Sequence, residues 1–259
     1  MNLSLLLGIL LGLLLPYVSP HRNRIIGGWE CSEDEHPWLA VLYDLTMPYC
    51  AGILIDLNWV VTAAHCCLKN RDIVIHLGEH SLSESSGHEQ IRISKQTILF
   101  SNSTDCETEC KNDIMLIKLN TAAIPTAYVA PIDLPPCPPQ LGTDCTVCGW
   151  GAITSPVETF PDVPNCVNIT IVETQLCEDK FPCIEPENIL CAGDLKGGKD
   201  SCRGDSGGPL ICGNKLQGIV SLGGNPCGQP NLPAVYTKIC RYAEWIRGII
   251  GGSDNEFKS

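Results

Sequence analysis

Residues 198–209, GKDSCRGDSGGP, are the stretch from which the fold and chemistry of this chain can be argued. They place a serine hydroxyl, that of Ser206, directly before two glycines. Because glycine has no side chain, a carbonyl group can approach such a turn closely. An acyl-transfer site needs a nucleophile with a nearby base, and fixed hydrogen-bond donors for the oxyanion. The stretch offers Ser206 as the nucleophile and the N–H groups of Gly204 and Ser206 as the donors.

Two other stretches supply candidate partners for this serine. Residues 62–66 read TAAHC and residues 112–116 read NDIML. Taken alone, GDSGG is often only a tight turn, and most single histidines are structural or solvated. His65, however, follows an apolar run and stands beside a cysteine that could fix its loop. Asp113 opens an apolar strand, where an unpaired carboxylate would be costly to bury. The pattern therefore favours a contact between Asp113 and His65.

These three stretches, which carry His, Asp and Ser in that order along the chain, resemble those of the trypsin family of serine proteases. The resemblance covers nearly everything after Arg24. It implies that His65 is the general base, that Asp113 orients its imidazole, and that Ser206 attacks the substrate. It also implies an all-β fold of two six-stranded antiparallel β-barrels packed orthogonally, with a C-terminal helix. The catalytic cleft would lie between the barrels. No cofactor is implied.

Composition and the N-terminal residues indicate a secreted protein. The formal charge of −12 excludes nucleic acid as a plausible partner. Residues 3–15 are rich in leucine. This segment is too short to span a membrane, and it lies where a secretory signal belongs. We therefore expect an extracellular monomer without a membrane partner. The expected division is a signal peptide (1–19), an activation propeptide (20–24), an N-terminal barrel (25–130), and a C-terminal barrel with the terminal helix (131–259).

The sequence IIGG, which begins at Ile25 directly after Arg24, resembles the activation site of the family. Cleavage there would free the ammonium group of Ile25. The resemblance implies that this ammonium pairs with Asp205, the residue before the nucleophile. Breaking a buried ion pair costs about 3 to 5 kcal/mol, which is enough to switch a site between collapsed and formed states.

Seventeen cysteines in a secreted chain indicate a disulfide framework. Zinc binding is the alternative for clustered cysteines, but their irregular spacing disfavours it. Five cysteines, Cys67, Cys106, Cys110, Cys148 and Cys183, have no assigned partner, and Cys106 and Cys110 are close enough in sequence to bridge their own loop. For the others, the resemblance implies the pairs Cys31–Cys166, Cys50–Cys66, Cys137–Cys240, Cys145–Cys212, Cys177–Cys191 and Cys202–Cys227.

Short apolar runs separated by Gly, Pro, Asn and Ser clusters are typical of an all-β chain. Residues 90–94 show a period of two, and Pro-rich residues 131–139 are the candidate crossover between two halves. Tyr242 to Ile250 carry apolar residues at helical spacing, so we expect a terminal helix that ends at Gly251 and Gly252. The runs are 38–45, 51–55, 59–64, 73–77, 91–100, 114–119, 146–150, 168–172, 209–212, 216–222 and 234–239.

The resemblance also assigns a substrate pocket. Asp200, six residues before Ser206, would form the pocket floor, and its carboxylate would select arginine or lysine before the scissile bond. Arg203 would place positive charge at the pocket mouth and favour acidic groups in the leaving half of the substrate. The other expected pocket residues are Ser201, Ser221, Leu222, Gly223 and Ala234; Leu222 replaces a tryptophan usual in the family, and Ala234 replaces a glycine.

Two kinds of accessory site are suggested. Glu79 and Glu89 match the outer ligands of the trypsin calcium loop, although a solvated acidic loop is the alternative. Asn102 and Asn168 begin glycosylation sequons.

The resulting functional hypothesis is a secreted endopeptidase that cleaves after arginine or lysine. Residues 25–31, IIGGWEC, and 161–166, PDVPNC, are most similar to those of tissue kallikreins and reptile venom serine proteases. Residues 251–259 lack the extra cysteine usual in the venom enzymes. Expected partners are plasma proteins of the kininogen or fibrinogen type and serine protease inhibitors. Two alternatives are a broad digestive trypsin, which the cysteine-bearing loop 100–111 disfavours, and a catalytically silent binding protein, which the intact triad disfavours.

Overall fold

The computed structural model describes residues 25–101, 106, 110–135 and 138–253. It is built mainly of β-strands, with a four-residue helix α1 (Gln175–Glu178), a terminal helix α2 (Ile239–Ser253) and two short 3₁₀ helices (Ala64–Cys66 and Pro186–Asn188). No helix among the described residues is both long and apolar enough to cross a bilayer. The strands are β1 (Trp29–Glu30), β2 (Leu39–Asp44), β3 (Met47–Asp56), β4 (Trp59–Thr62), β5 (Val74–Leu77), β6 (Gln90–Leu99), β7 (Met115–Leu119), β8 (Asp144–Gly149), β9 (Asn165–Val172), β10 (Ile189–Gly193), β11 (Pro209–Cys212), β12 (Lys215–Leu222) and β13 (Ala234–Lys238).

The strands form two closed antiparallel barrels of six strands each. The first barrel closes in the order β2-β3-β4-β7-β6-β5. The second has the order β9-β10-β13-β12-β11-β8 and closes because β8 pairs with β9 as well as with β11. Closure removes the unpaired strand edges of a sheet, which suits a chain of many short strands. The expected fold of two six-stranded antiparallel barrels with a C-terminal helix is confirmed.

Each end of the described chain packs on the barrel that is distant from it in sequence. Strand β1 pairs with β9 of the second barrel, and the Ile25 side chain is fully buried in that barrel's core. Conversely, Ile239, Tyr242 and Ile246 of α2 are buried in the apolar cluster that fills the first barrel. Residues 25–30 therefore belong structurally to the second half rather than to the expected N-terminal barrel.

The apolar runs predict the strands well but not completely. Each of the eleven runs overlaps a strand, and residues 131–135, in the Pro-rich segment between β7 and β8, belong to no strand. Strands β1 and β10 were not predicted. The predicted end of the terminal helix was wrong, since α2 continues through Gly251 and Gly252 to Ser253.

The period-two pattern of β6 is present, but its apolar residues face outwards. Ile91 and Ile93 are 59% and 41% exposed, while Arg92 between them is half-buried. The Arg92 guanidinium donates hydrogen bonds to the carbonyl oxygens of Thr121 and Ala122. These acceptors hold the polar side chain on the inner side of the strand, and the isoleucines are left on the outer face.

Five of the six expected disulfides are present in the structure, and they join Cys31–Cys166, Cys50–Cys66, Cys145–Cys212, Cys177–Cys191 and Cys202–Cys227. The sixth, Cys137–Cys240, stays a prediction because Cys137 lies outside the described residues.

The five remaining cysteines behave differently from the suggested local bridge. Cys106 does not pair with Cys110, so a bridge within that loop was wrong. Instead, Cys67 pairs with Cys106 and Cys110 pairs with Cys183. Cys148 keeps a buried thiol whose Sγ lies 3.2 Å from that of Cys166. Burial and the nearby carboxylates of Asp205 and Glu35 raise the pKa of this thiol to about 12, which keeps it protonated.

The turn that carries Ser206 forms hydrogen bonds with strands of both barrels. The Ser206 carbonyl accepts a hydrogen bond from the N–H of Ala51 in β3 (2.8 Å), and the N–H of Gly207 donates to Val220 of β12 (2.9 Å). Gly207 has φ +79°, and a Cβ there would overlap Thr62 Oγ1 and the carbonyl oxygen of Ala51. Only glycine fits between the barrels at this point.

Substitution of Gly207 by alanine should therefore destabilise the whole fold. Gly207→Ala should cost about 1 to 2 kcal/mol for the left-handed backbone and about 1 to 3 kcal/mol more for the overlap. The matched control is Gly213→Ala, since Gly213 also has positive φ, but a Cβ added there would meet no atom within 4 Å. Urea unfolding of both variants, made in a Ser206→Ala background to prevent self-digestion, measures the difference. Equal losses of unfolding free energy would contradict the steric argument.

Candidate active site

His65 and Asp113 are brought together by the first barrel. His65 lies in the 3₁₀ helix that follows β4, and Asp113 lies two residues before β7, the neighbouring strand. Asp113 Oδ2 is 2.8 Å from His65 Nδ1, and Asp113 Oδ1 accepts a hydrogen bond from the backbone N–H of His65 (2.9 Å). Asp113 is 5% exposed and the His65 side chain 29% exposed. This bond presents the other ring nitrogen, Nε2, for proton transfer.

The second barrel holds Asp113 in place. Ser221 lies where the pairing of β12 with β13 slips, between Val220 and Leu222, and its Oγ donates to Asp113 Oδ2 (2.6 Å). The hydroxyl of Thr237 in β13 donates to the Asp113 carbonyl (2.7 Å). A β-bulge changes the direction of a side chain. Here the Ser221 hydroxyl points towards the Asp113 carboxylate.

The charge of Asp113 is secured by these contacts. Burial raises the pKa of Asp113, but the hydrogen bonds from His65 and Ser221 outweigh burial, so that the pKa lies below its ordinary value. The carboxylate is therefore ionised at neutral pH. An ionised Asp113 stabilises an imidazolium on His65 when the ring accepts a proton.

The Ser206 turn provides two free hydrogen-bond donors. Gly204, with φ +99°, lies against the Gly151 backbone, and the Asp205 N–H donates to the Cys202 carbonyl (3.0 Å). Among the hydrogen bonds of the described residues, none uses the N–H of Gly204 or of Ser206. Likewise, none of those bonds joins Ser206 Oγ to His65. Catalytic hydrogen bonds often form only in the substrate complex.

A cavity of about 240 Å³ opens beside Ser206 and contains most of the predicted pocket residues. Gly223 faces the buried Ala234, whose methyl carbon lies 3.9 Å from where a Cβ on Gly223 would be. Ala234 itself does not line the cavity. The residues that line it include Ser201, Arg203, Ser206, Ser221, Leu222 and Gly223.

Asp200 lies behind this cavity and does not form its surface in the structure. It is 2% exposed; its Oδ2 accepts a hydrogen bond from the N–H of Gly228 (2.8 Å), and its Oδ1 has no partner among the described residues. Burial is the largest cause that raises the pKa of Asp200, to about 7. The neighbouring Ser201 lines the cavity and shares a hydrogen bond with Tyr236 (3.1 Å). A buried carboxylate oxygen without a donor favours a cationic ligand.

The positive charge at the cavity mouth is partly offset. Arg203 is 77% exposed, and its guanidinium lies 3.6 Å from the carboxylate of Glu158. Both residues line the first cavity and a neighbouring, more apolar one of about 540 Å³. An exposed pair of this kind interacts weakly. Glu158 was not singled out by the sequence, because nothing in its neighbourhood predicts that its loop approaches Arg203.

The contacts of Asp205 concern activation. Asp205 is fully buried, and its two carboxylate oxygens accept hydrogen bonds from the N–H groups of Gly151 and Cys202 (both 2.8 Å). No basic side chain among the described residues forms an ion pair with it. Burial raises the pKa of Asp205 to about 6 despite the two backbone donors. Arg24 lies outside the described residues.

The two candidate calcium ligands have other partners. Glu79 Oε2 is 2.8 Å from His76 Nδ1, and the Glu89 carboxylate accepts hydrogen bonds from Ser85, Ser86 and the N–H of Gly87. Neither glutamate belongs to a cluster of potential ligand atoms among the described residues. An imidazole in place of oxygen ligands does not fit the six to eight oxygens that calcium prefers.

One sequon can be located. Asn168 is exposed on β9, where its Oδ1 accepts a hydrogen bond from the Thr146 hydroxyl (2.8 Å). Asn102 lies outside the described residues. Glycosylation at both positions stays a prediction.

Sequence reasoning missed the disulfide that lies beside the site. Cys110 and Cys183 line a cavity of about 320 Å³ together with His65, Asp113, Ser221 and Leu222. The position of Cys110, three residues before Asp113, was a signal that it lies near the site. Its partner, 73 residues further along the chain, could not be found from spacing.

Comparison with known proteins identifies the family. The family model described as Trypsin matches residues 25–246. The α- and β-fibrinogenase OhS1 of Ophiophagus hannah is 48% identical over 253 residues, which are 98% of this chain and 96% of that protein. The serine protease harobin of Hydrophis hardwickii is 48% identical over 90% of this chain and 87% of its own length. In structure, a mouse neuropsin is similar with a TM-score of 0.80 and 41% identity, covering 86% of this chain and 98% of that one.

The chain therefore belongs to the trypsin family of serine proteases. It is a serine endopeptidase that acts on protein substrates, and the reaction of this family needs no cofactor.

The raised pKa of Asp200 predicts pH-dependent binding of cations. As the pH rises through about 7, Asp200 becomes ionised, so the affinity for benzamidinium should increase about tenfold from about pH 6 to about pH 8. Calorimetric titration of the cleaved Ser206→Ala variant measures this affinity without catalysis. The control is Asp200→Asn, which should bind weakly at every pH. An affinity that does not change with pH would show that Asp200 does not contact the ligand.

Proposed function

We propose that the protein is a limited-specificity endopeptidase that cleaves after arginine or lysine. The observation that supports the endopeptidase chemistry is the set of hydrogen bonds to the Asp113 carboxylate. These bonds orient His65, and the turn that carries Ser206 offers two free N–H groups. Ser206 attacks the scissile carbonyl, and His65 accepts its proton and later protonates the leaving amine. The N–H groups of Gly204 and Ser206 stabilise the oxyanion.

Asp200 supplies the preference for basic residues in this proposal. The Oδ1 atom of Asp200 has no hydrogen-bond partner among the described residues. Asp200 directly precedes Ser201, which lines the cavity beside Ser206. A guanidinium or ammonium entering from the cavity would satisfy this oxygen and keep the carboxylate ionised. Ala234 lies behind Gly223 and does not line the cavity.

Plasma proteins are the proposed substrates of this secreted enzyme. Support comes from the relative named as an α- and β-fibrinogenase, which is 48% identical over nearly its whole length. The disulfides that tether the 100–111 loop favour a restricted cleft over that of a broad digestive trypsin. Sequencing the bonds cut in fibrinogen and kininogen would identify the preferred protein, and a uniform digest would favour the digestive alternative.

Active-site labelling tests the chemistry. The cleaved chain should hydrolyse an arginine ester and react with a fluorophosphonate at Ser206. His65→Ala and Ser206→Ala should each lower kcat by a factor of about 10⁴ or more. Asp200→Asn should keep the label but lose about 10²-fold or more in kcat/KM for the arginine ester. An intact cleaved chain that neither turns over the ester nor takes the label would instead be a protease-shaped binding protein.

We further propose that cleavage after Arg24 activates the enzyme. The Ile25 side chain lies in the core of the second barrel. Asp205 is fully buried and has no ion-pair partner among the described residues. The freed ammonium of Ile25 would give Asp205 the opposite charge that it lacks among the described residues. The pair would then stabilise the turn that carries Ser206.

Stability measurements on cut and uncut chains test this activation step. Replacing residues 20–24 by the site of a highly specific protease, in the Ser206→Ala background, gives both forms. Cutting should raise the unfolding free energy by about 3 kcal/mol at neutral pH. Asp205→Asn is the control and should abolish the gain. A gain of the same size in this variant would mean that Asp205 is not the partner.

The pH dependence of stability lies in different pH ranges in the two forms. In the uncut chain the raised pKa of Asp205 makes stability, relative to Asp205→Asn, fall as the pH rises from about 4 to about 6. In the cut chain pairing raises the pKa of the ammonium. Its contribution is complete below the unfolded value of about 7.7 to 8.0 and is lost as the pH rises through the folded value.

A further inference from the structure

Two disulfides hold the loop that precedes Asp113, one at Cys106 and one at Cys110. Cys106 is joined to Cys67, which follows the His65 helix, with a Cα–Cα distance of 5.4 Å. Cys110 is joined to Cys183, which lies in the second half of the chain between α1 and β10, with a Cα–Cα distance of 5.8 Å. The second bond therefore spans the two barrels at the edge of the active site.

The Cys110–Cys183 disulfide is part of a cavity wall. The cavity has a volume of about 320 Å³, and both sulfur-bearing residues line it together with His65, Asp113, Ser221 and Leu222. Cys110 is half-buried and Cys183 is exposed. Most of the side chains at this rim carry no charge, so the cavity suits an apolar side chain.

The neighbouring cavities fix which part of a substrate would lie here. Ser221 and Leu222 also line the cavity beside Ser206, which the proposed function assigns to the arginine side chain. The arginine carbonyl would be held by Gly204 and Ser206, and Gly204 lines the separate 540 Å³ cavity. The chain after the scissile bond therefore leaves past Gly204, and the residue before the arginine lies beside Leu222 and the disulfide.

The residues on both sides of the disulfide have noncovalent anchors of their own. Ile184, next to Cys183, is buried in a cluster of the second barrel against which Leu222 packs. On the other side, the Asn188 amide donates to the carbonyl oxygen of Lys111 (3.1 Å) and to Asn112 Oδ1 (3.2 Å). Asn112 Oδ1 also accepts a hydrogen bond from the Tyr242 hydroxyl (3.1 Å). The residues beside Asp113 therefore keep noncovalent anchors when the disulfide is absent.

We propose that Cys110–Cys183 is a specificity-determining element of the cleft: it closes the outer wall of the subsite for the residue before the arginine and limits it to small and medium apolar side chains. This rests on the proposed arginine-directed function. The covalent bond joins the two halves of the chain at this rim and so limits the room for a larger side chain.

A substrate series on disulfide variants tests the proposal. Three cleaved proteins are compared: the wild type, Cys110→Ser/Cys183→Ser, and the control Cys67→Ser/Cys106→Ser, which loses the other disulfide of the same loop. The substrates are peptides with Gly, Val or Phe before the arginine, and kcat/KM for each is divided by that of a single-residue arginine ester. The wild type should prefer Val to Phe.

The two variants should differ in this ratio. In Cys110→Ser/Cys183→Ser the Phe-to-Val ratio should rise about tenfold, mainly through KM, whereas the control should keep the wild-type ratio. An unchanged ratio in Cys110→Ser/Cys183→Ser, or an equal rise in the control, overturns the proposal. If the wild type does not cleave the ester, the proposed function itself fails, which is a separate outcome.

A second variant decides the matter if the first does not fold. Leu222→Trp places a larger side chain in the lining of the same cavity and leaves both disulfides intact. It should lower kcat/KM for the Val and Phe peptides relative to the Gly peptide by about tenfold. Equal effects on all three peptides would show that the cavity does not receive this side chain.

Discussion

The hydrogen bonds that converge on the Asp113 carboxylate are the interaction on which the active site depends. Two come from His65 in the first barrel and one comes from Ser221 in the second. A buried carboxylate is costly unless it is fully hydrogen-bonded, so this group is stable only when both barrels are in place. Its ionisation, the ring orientation of His65 and the approach of β12 are consequently linked. The chemistry cannot be assembled within one barrel.

The same dependence between barrels recurs around Ser206. Its carbonyl is bonded to β3, while Gly207 contacts both Thr62 and Val220. Ser206 is thus fixed by the first barrel, although the strand that follows its turn, β11, belongs to the second. The Cys110–Cys183 bond adds a covalent connection at the opposite edge of the cleft. Geometry at the site is therefore set by the barrel interface more than by either barrel alone.

The sequence predicted the features that depend on local motifs and failed where distant segments meet. The positions of His65, Asp113 and Ser206 and eleven strands followed from short motifs and apolar runs. The partners of Cys106 and Cys110 did not, because disulfide pairing depends on tertiary approach and nearness in sequence is a poor guide to it. In β6 the period was right, but the acceptors that turn Arg92 inwards lie about thirty residues away. The glycines of α2 did not end the helix, since Ile246 and the residues before it are already fixed by packing.

The exchange of chain ends between barrels means that neither half is a separable unit. A fragment ending near residue 130 would lack Ile239, Tyr242 and Ile246, which cover the core of the first barrel. A fragment beginning near residue 131 would lack Ile25 and the strand β1 that borders β9. Each piece would expose apolar surface that the intact chain buries, so expression of the halves as independent proteins would give aggregation-prone material.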